Sequence, residues 1–131
     1  MFVLVLLLAC GDLCSPDALF WYDHLLAEGG YGRIERERAA FLIREADGRL
    51  TLEPWNGGDF RRAQFRGAIP AGAIAIVHTH PRLEPHPSMR DRQEAARLAL
   101  PVIVVTPDAV IAARPNAPDL VLRTSARAPR T

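Results

Sequence analysis

The sequence contains no lysine, only two cysteines and only four histidines among its 131 residues. Its sixteen basic residues are all arginine and face fifteen acidic ones, which leaves a net charge of +1. No segment gathers enough arginine on one face to form a nucleic-acid footprint, so we expect no nucleic-acid partner. Two thiols cannot build a structural zinc site alone. The N-terminal apolar run, Phe2–Ala9, is too short to cross a bilayer of ~30 Å as a helix.

The start of the chain has the features of a leader. Phe2–Ala9 resembles the apolar region of an export signal, and Leu7–Cys10 resembles the bacterial lipobox, in which cleavage precedes a cysteine that then carries lipid. No basic residue occurs before Arg33, so the basic n-region is missing and a buried strand is the alternative. We expect a leader over residues 1–14 with Cys10 as the lipidation site. Cys10 would then attach the protein to a bacterial membrane, as a membrane-anchored or periplasmic protein, whereas a buried strand would indicate a cytoplasmic one. A disulfide with Cys14 and two plain apolar side chains are the remaining alternatives.

The rest of the chain has the composition of one globular domain, with 49% apolar and 24% charged residues. We place this domain at residues 15–123 and expect a flexible basic tail over residues 124–131. Apolar residues at helical spacing predict a helix over residues 16–28, started by Ser15-Pro16. Asp47-Gly48 between two apolar segments predicts a hairpin.

The second half alternates strands with one helix. "GAIAIVHTH" is apolar on both faces, as in a central strand, and ends at Pro81. "SMRDRQEAARLAL" predicts a helix terminated by Pro101, and "PVIVVTP" and "AVIAARP" predict two neighbouring strands. Residues 119–122 predict a short edge strand. The fold class is therefore α/β (α+β), with a mixed sheet flanked by helices.

Two histidines at the end of the central strand and an aspartate at the start of the next helix are candidate metal ligands. His78 and His80 are two apart on a strand, so they share a face about 6.6 to 7 Å apart along the backbone. Zinc takes such imidazoles and, in catalytic sites, a third protein ligand, for which Asp91 is the candidate. Ser88 would accompany it. Ser88-x-x-Asp91 before an Ala/Leu-rich segment is also the pattern of a helix capping box.

His78-Thr79-His80-Pro81, followed after six residues by Ser88-x-x-Asp91, resembles the JAB/MPN metalloprotease (JAMM) signature, H-x-H-P-x6-S-x2-D. The resemblance implies that His78, His80 and Asp91 bind zinc and that Ser88 stabilises the tetrahedral intermediate. It also implies an upstream glutamate that transfers the proton. Glu37, before Ala39-Ala40 and an apolar strand, fits that position, and Glu35 is its competitor.

We expect from this resemblance a small bacterial member of the family with a JAB/MPN (cytidine deaminase-like) architecture and one Zn²⁺ ion. It would be a zinc-dependent metallopeptidase acting on a peptide or protein substrate, with peptide and isopeptide bonds both open. The alternative is an MPN-like metal-binding or interaction module without turnover. His86, inside the proline-rich loop, is outside the family's ligand set. Trp21, Trp55 and Phe60 are candidates either to line a groove or to pack in the core.

Overall fold

The computed structural model describes residues 10–28, 38–55, 65–80 and 84–124. A 3-10 helix, Gly11–Cys14, comes first. Two α-helices follow it in the described part of the chain, α1 (Pro16–Glu28) and α2 (Met89–Leu98). The strands are β1 (Ala39–Arg44), β2 (Leu50–Pro54), β3 (Ala73–Thr79), β4 (Val102–Val105), β5 (Val110–Arg114) and β6 (Ala117–Arg123).

The six strands form one mixed sheet in the order β2-β1-β3-β4-β5-β6. Four neighbouring pairs are antiparallel, and β3 and β4 are parallel. A parallel pair needs a crossover connection, which α2 supplies between these two strands. The predicted α+β class with a mixed sheet is confirmed, and β3 is a central strand as its two apolar faces predicted.

Side-chain alternation divides the core between the two faces of the sheet. On one face, α1 buries Ala18, Tyr22, Leu25 and Leu26, which are at helical spacing and form a single apolar stripe. On the other face, Ala95 of α2 packs with buried side chains that include Phe41, Ile76 and Val102. The residues between them in sequence, such as Ala40 and Val77, face α1. His78 follows Val77 and therefore faces the α2 side.

The β1–β2 hairpin confirms the prediction from Asp47-Gly48. Gly48 has φ +89°, a left-handed conformation that glycine adopts without steric cost. The Asp47 side chain accepts a hydrogen bond from the Arg49 amide at 3.0 Å, which closes the turn. At the outer edge of β2, the Leu50 amide donates to Asp17 at 2.7 Å and the Leu50 carbonyl accepts from Trp21 at 2.7 Å. Helix α1 therefore covers one end of the edge strand, whose backbone groups need partners.

Two element boundaries predicted from the sequence are wrong. Helix α2 ends at Leu98, before Pro101, because Ala99 takes a left-handed conformation with φ 55° that stops the helix. Pro101 instead begins the pairing of β4, since its carbonyl accepts from the Ile76 amide at 2.9 Å. The last strand covers residues 117–123 rather than 119–122, because Asn116, with φ 56°, makes a tight turn that leads directly from β5 into β6.

The described N-terminal residues pack onto the domain. Residues 10–14, assigned to the leader from the sequence, contact α1: Cys10 is buried, and Leu13 accepts a hydrogen bond from the Tyr22 hydroxyl at 2.6 Å. Cys10 and Cys14 are joined by a disulfide. The structure thus shows the disulfide that the sequence left as an alternative. The Cys10 sulfur cannot carry a lipid while it forms this bond, and lipidation of Cys10 remains a prediction. In the described residues, no helix is both long and apolar enough to span a membrane.

Candidate metal centre

Three of the predicted site residues meet at the end of the central strand. His78 is near the end of β3, His80 directly follows it, and the two imidazole rings are 4.8 Å apart between centroids. The Nε2 atom of His78 is 2.9 Å from Asp91 Oδ1, and the Nε2 atom of His80 is 3.3 Å from Asp91 Oδ2. All three side chains are at most 12% exposed. Two imidazole nitrogens and one carboxylate therefore converge on a common point.

Helix α2 positions the third member of this group. Ser88 is the N-cap residue: its hydroxyl accepts from the Asp91 amide at 3.1 Å, while Asp91 Oδ2 accepts from the Ser88 amide at 2.7 Å. This is a complete capping box. Asp91 Oδ1 is directed at His78 at the same time. The capping-box and ligand interpretations of Ser88-x-x-Asp91 are therefore compatible, because the two carboxylate oxygens of Asp91 serve different neighbours.

The surroundings of Asp91 favour its charged form. Burial alone would raise the pKa of this carboxyl, but the adjacent imidazoles of His78 and His80 and the Ser88 amide lower it more, so the pKa lies well below its ordinary range. The N-terminal end of α2 adds the positive end of a helix dipole at the same place. Asp91 is thus a permanent anion at neutral pH, the form a metal ligand requires.

The ring nitrogens of His78 and His80 are arranged in a way that suits a metal site. Both ring nitrogens of His78 are buried, and among the described residues neither has a hydrogen bond of good geometry, although Nε2 is close to Asp91. Nδ1 of His80 lies 2.7 Å from the carbonyl oxygen of Glu84. A carbonyl only accepts, so this Nδ1 carries a proton, and Nε2 is the nitrogen that would bind a metal ion. A donor set of two nitrogens and one oxygen suits Zn²⁺ or a similar divalent transition metal.

The other predicted residues fall in different places. Glu37 and its competitor Glu35 lie outside the described residues, as does Phe60. His86 is exposed, with its Nδ1 atom 2.7 Å from Glu84 Oε1, and does not join the cluster. Trp21 is on the α1 side, whereas Trp55 lines a narrow cleft with His78 and Asp91.

Thr79 has a structural role that no sequence pattern indicated. Thr79 is 2% exposed, and its hydroxyl accepts from the Arg38 amide at 2.9 Å while its own amide donates to the Arg38 carbonyl at 2.9 Å. These bonds extend the β1–β3 pairing by one residue beyond the Ala39–His78 pair. The position of Thr79 between His78 and His80 is visible in the sequence, but its partner depends on the strand register.

The cleft beside His78 exists because a small side chain lies between two large ones. Ala39 is opposite His78 on β1, and the Trp55 amide donates to the Ala39 carbonyl at 3.0 Å, so Trp55, Ala39 and His78 form one row across three strands. The small side chain of Ala39 leaves space between the large ones. Glu94, one turn after Asp91 on α2, lines the same cleft and is 4% exposed.

Comparison with known protein families agrees with this geometry. The sequence profile described as prokaryotic homologs of the JAB domain matches residues 32–122, more than half of the chain. That segment contains β1 to β5, α2 and all three converging side chains. A comparison with curated proteins finds no match. The chain therefore belongs to the prokaryotic homologues of the JAB domain, and it carries a His78–His80–Asp91 cluster able to hold a metal ion.

Proposed function

We propose that the protein is a zinc-dependent metallopeptidase that hydrolyses a peptide or isopeptide bond with an activated water. The observation that carries this proposal is the convergence of His78, His80 and Asp91, whose ligand atoms all lie within 4.8 Å of one another. Three protein ligands are the number that catalytic zinc sites use, since the fourth position is kept for water or substrate. A bound Zn²⁺ would lower the pKa of its water toward ~7 and polarise the scissile carbonyl.

Glu37 is the proposed general base and acid. The register supports it over Glu35: Ala39 pairs with His78, and Arg38 bonds to Thr79 in both directions. One further step of the same register would set Glu37 opposite His80, and directly opposed residues share a face of the sheet. Glu37 would take a proton from the attacking water and return it to the leaving amine, a role that contributes roughly 10² to 10⁴ in rate.

Ser88 is the proposed hydrogen-bond donor to the developing oxyanion. Its hydroxyl oxygen accepts the Asp91 amide, and this contact uses a lone pair rather than the hydroxyl hydrogen. Because the capping box holds Ser88 beside Asp91, the hydroxyl is positioned before substrate binds, which is what electrostatic stabilisation of a transition state requires.

The experiment compares zinc-loaded parent protein with Glu37→Gln on a library of quenched fluorescent peptides and on a lysine isopeptide reporter. We expect the variant to keep its zinc, measured by elemental analysis, and to lose at least ~100-fold in hydrolysis. Glu35→Gln is the matched control and should hydrolyse like the parent. If the parent binds one equivalent of zinc and cleaves neither probe, the alternative of a metal-binding or interaction module without turnover replaces the proposal.

A further inference from the structure

A broad depression adjoins the His78–His80–Asp91 cluster on the α2 side of the sheet. It is lined by Phe41, Glu53, Trp55, Phe65 and Gly67, among others, and encloses about 760 Å³ including the solvent at its mouth. Trp55 borders both this depression and the narrow cleft that contains His78 and Asp91. The two spaces are therefore neighbours that share one wall.

Strand register places the depression next to the cluster. Glu53 is paired with Phe41, and Phe41 with Ile76, so these three side chains form a row parallel to the row of Trp55, Ala39 and His78. Strands in a sheet are about 4.8 Å apart, so Trp55 on the edge is about 10 Å from His78. An extended peptide advances about 3.3 Å per residue, so a side chain in the depression belongs to a residue within about three positions of the scissile bond.

The wall of this depression is held by α2. The Nε and Nη2 atoms of Arg97 each donate a hydrogen bond to the Glu94 carboxylate at 2.8 Å. Nη2 also donates to the Phe65 carbonyl at 2.6 Å. Phe65 in turn packs edge-to-face on Phe41 with ring centroids 4.7 Å apart. Gly67 approaches so closely that a Cβ there would meet the Phe65 ring at 2.8 Å. The wall of the depression is thus hydrogen-bonded to the same helix that carries Asp91.

The chemistry of the lining selects one class of occupant. Phe41, Trp55 and Phe65 form an aromatic floor, with centroids 4.7 to 5.8 Å apart. Phe41 and Phe65 are buried, so the half-buried Trp55 contributes the accessible ring of this floor. Glu53 also lines the depression, is exposed and, among the described residues, has no ion-pair partner. A cation over aromatic rings and beside a carboxylate is favoured by both contacts, and the methylenes of arginine or lysine pack on apolar surface.

We propose that the depression is a subsite for a basic side chain of the substrate, arginine or lysine, close to the bond that is cut. The proposal depends on the proposed peptidase function for its role in catalysis. The binding itself is a property of Glu53 and the aromatic floor. Glu53 is then a specificity-determining residue outside the metal cluster.

The first test measures kcat/KM on quenched peptides that differ at one position, carrying arginine, norleucine or glutamate within three residues of the cleaved bond. We expect the parent to prefer arginine over norleucine, Glu53→Gln to lower that preference by about fivefold, and Glu53→Arg to prefer glutamate. Glu45→Gln, the same chemical change at the opposite end of the hairpin, should keep the parent's preference. An apolar preference that Glu53→Gln leaves unchanged overturns the proposal while the peptidase function stands.

The second test does not depend on hydrolysis. Metal-free protein is titrated with acetyl-Ala-Arg-Ala-amide or acetyl-Ala-norleucine-Ala-amide while the indole N–H signal of Trp55, assigned with Trp55→Phe, is followed by NMR. We expect saturable shifts with the arginine peptide that weaken in Glu53→Gln and persist in Glu45→Gln. Shifts of this kind from a protein that cleaves nothing would keep the subsite and refute the peptidase. Equal responses to both peptides would refute the subsite.

Discussion

Zinc binding should stabilise the fold, and this stabilisation should depend on two of the four histidines. His78 and His80 belong to the cluster, whereas His24 and His86 are exposed and pair with Glu28 and Glu84. A metal that binds only the folded state adds RT ln(1 + [L]/Kd), about 2.7 kcal/mol at one hundred times Kd. We therefore predict a zinc-dependent rise in Tm for the parent, for His24→Ala and for His86→Ala, and its loss in His78→Ala and His80→Ala.

The size of the shift follows from the length of the chain. Unfolding entropy is about 2.1 cal/mol/K per residue, so for 131 residues each 1 kcal/mol moves Tm by about 3.6 °C. The parent should gain about 10 °C at one hundred times Kd. If removal of one ligand weakens binding about 100-fold, the same zinc concentration adds only about 0.4 kcal/mol, or about 1.5 °C.

The assay is differential scanning fluorimetry with and without zinc, and the quantity compared is the zinc-dependent difference within each variant. This difference is needed because His78 is buried, so His78→Ala also destabilises the metal-free protein through the cavity it leaves. A full zinc-dependent shift in His78→Ala, or its loss in His86→Ala, would refute the ligand assignment.

Two further predictions concern residues that support the site, and a third concerns the N-terminal disulfide. Ser88→Ala should cost about 1 kcal/mol in urea unfolding through loss of the helix cap, and Ser88→Thr should retain most of it. Thr79→Val leaves the Arg38 amide without its acceptor, so we expect a loss of about 1–3 kcal/mol and faster hydrogen exchange at that amide, with Thr79→Ser close to the parent; unchanged exchange would contradict the assigned bond. Reducing the Cys10–Cys14 disulfide removes a short loop constraint of about 2 kcal/mol, so dithiothreitol should lower the Tm of the parent and leave that of Cys14→Ser unchanged.

Much of the architecture could be predicted from local patterns. Helix α1 follows from its apolar stripe and its proline at the first position, and the β1–β2 hairpin follows from Asp47-Gly48. The errors came where a single residue adopted a left-handed conformation. Ala99 gives no local sign of this conformation, because alanine favours helix continuation. Asn116 does give one, since asparagine tolerates the left-handed region and Pro115-Asn116 is a turn pattern.

In the candidate site, too, the features set by local patterns were predictable and those set by strand pairing were not. The convergence of His78, His80 and Asp91 was predictable because strand alternation and a helix start are local properties, and the spacing between them resembles a known signature. The positions of Thr79, Ala39 and Trp55 relative to that set were not predictable, because they depend on the register of β1 against β3 and of β2 against β1.

The sequence by itself determined the fold class, the order of the elements and the three side chains that offer ligand atoms, since periodicity and spacing depend only on the order of the residues. Only the tertiary structure decided that Asp91 caps a helix and faces His78 at once, that the Glu84 carbonyl lies beside Nδ1 of His80, and that a depression lined by Glu53 and Trp55 adjoins the cluster. The physical reason is that these features arise from contacts between residues distant in sequence or from the exact path of a loop, and strand register and chain reversal set both.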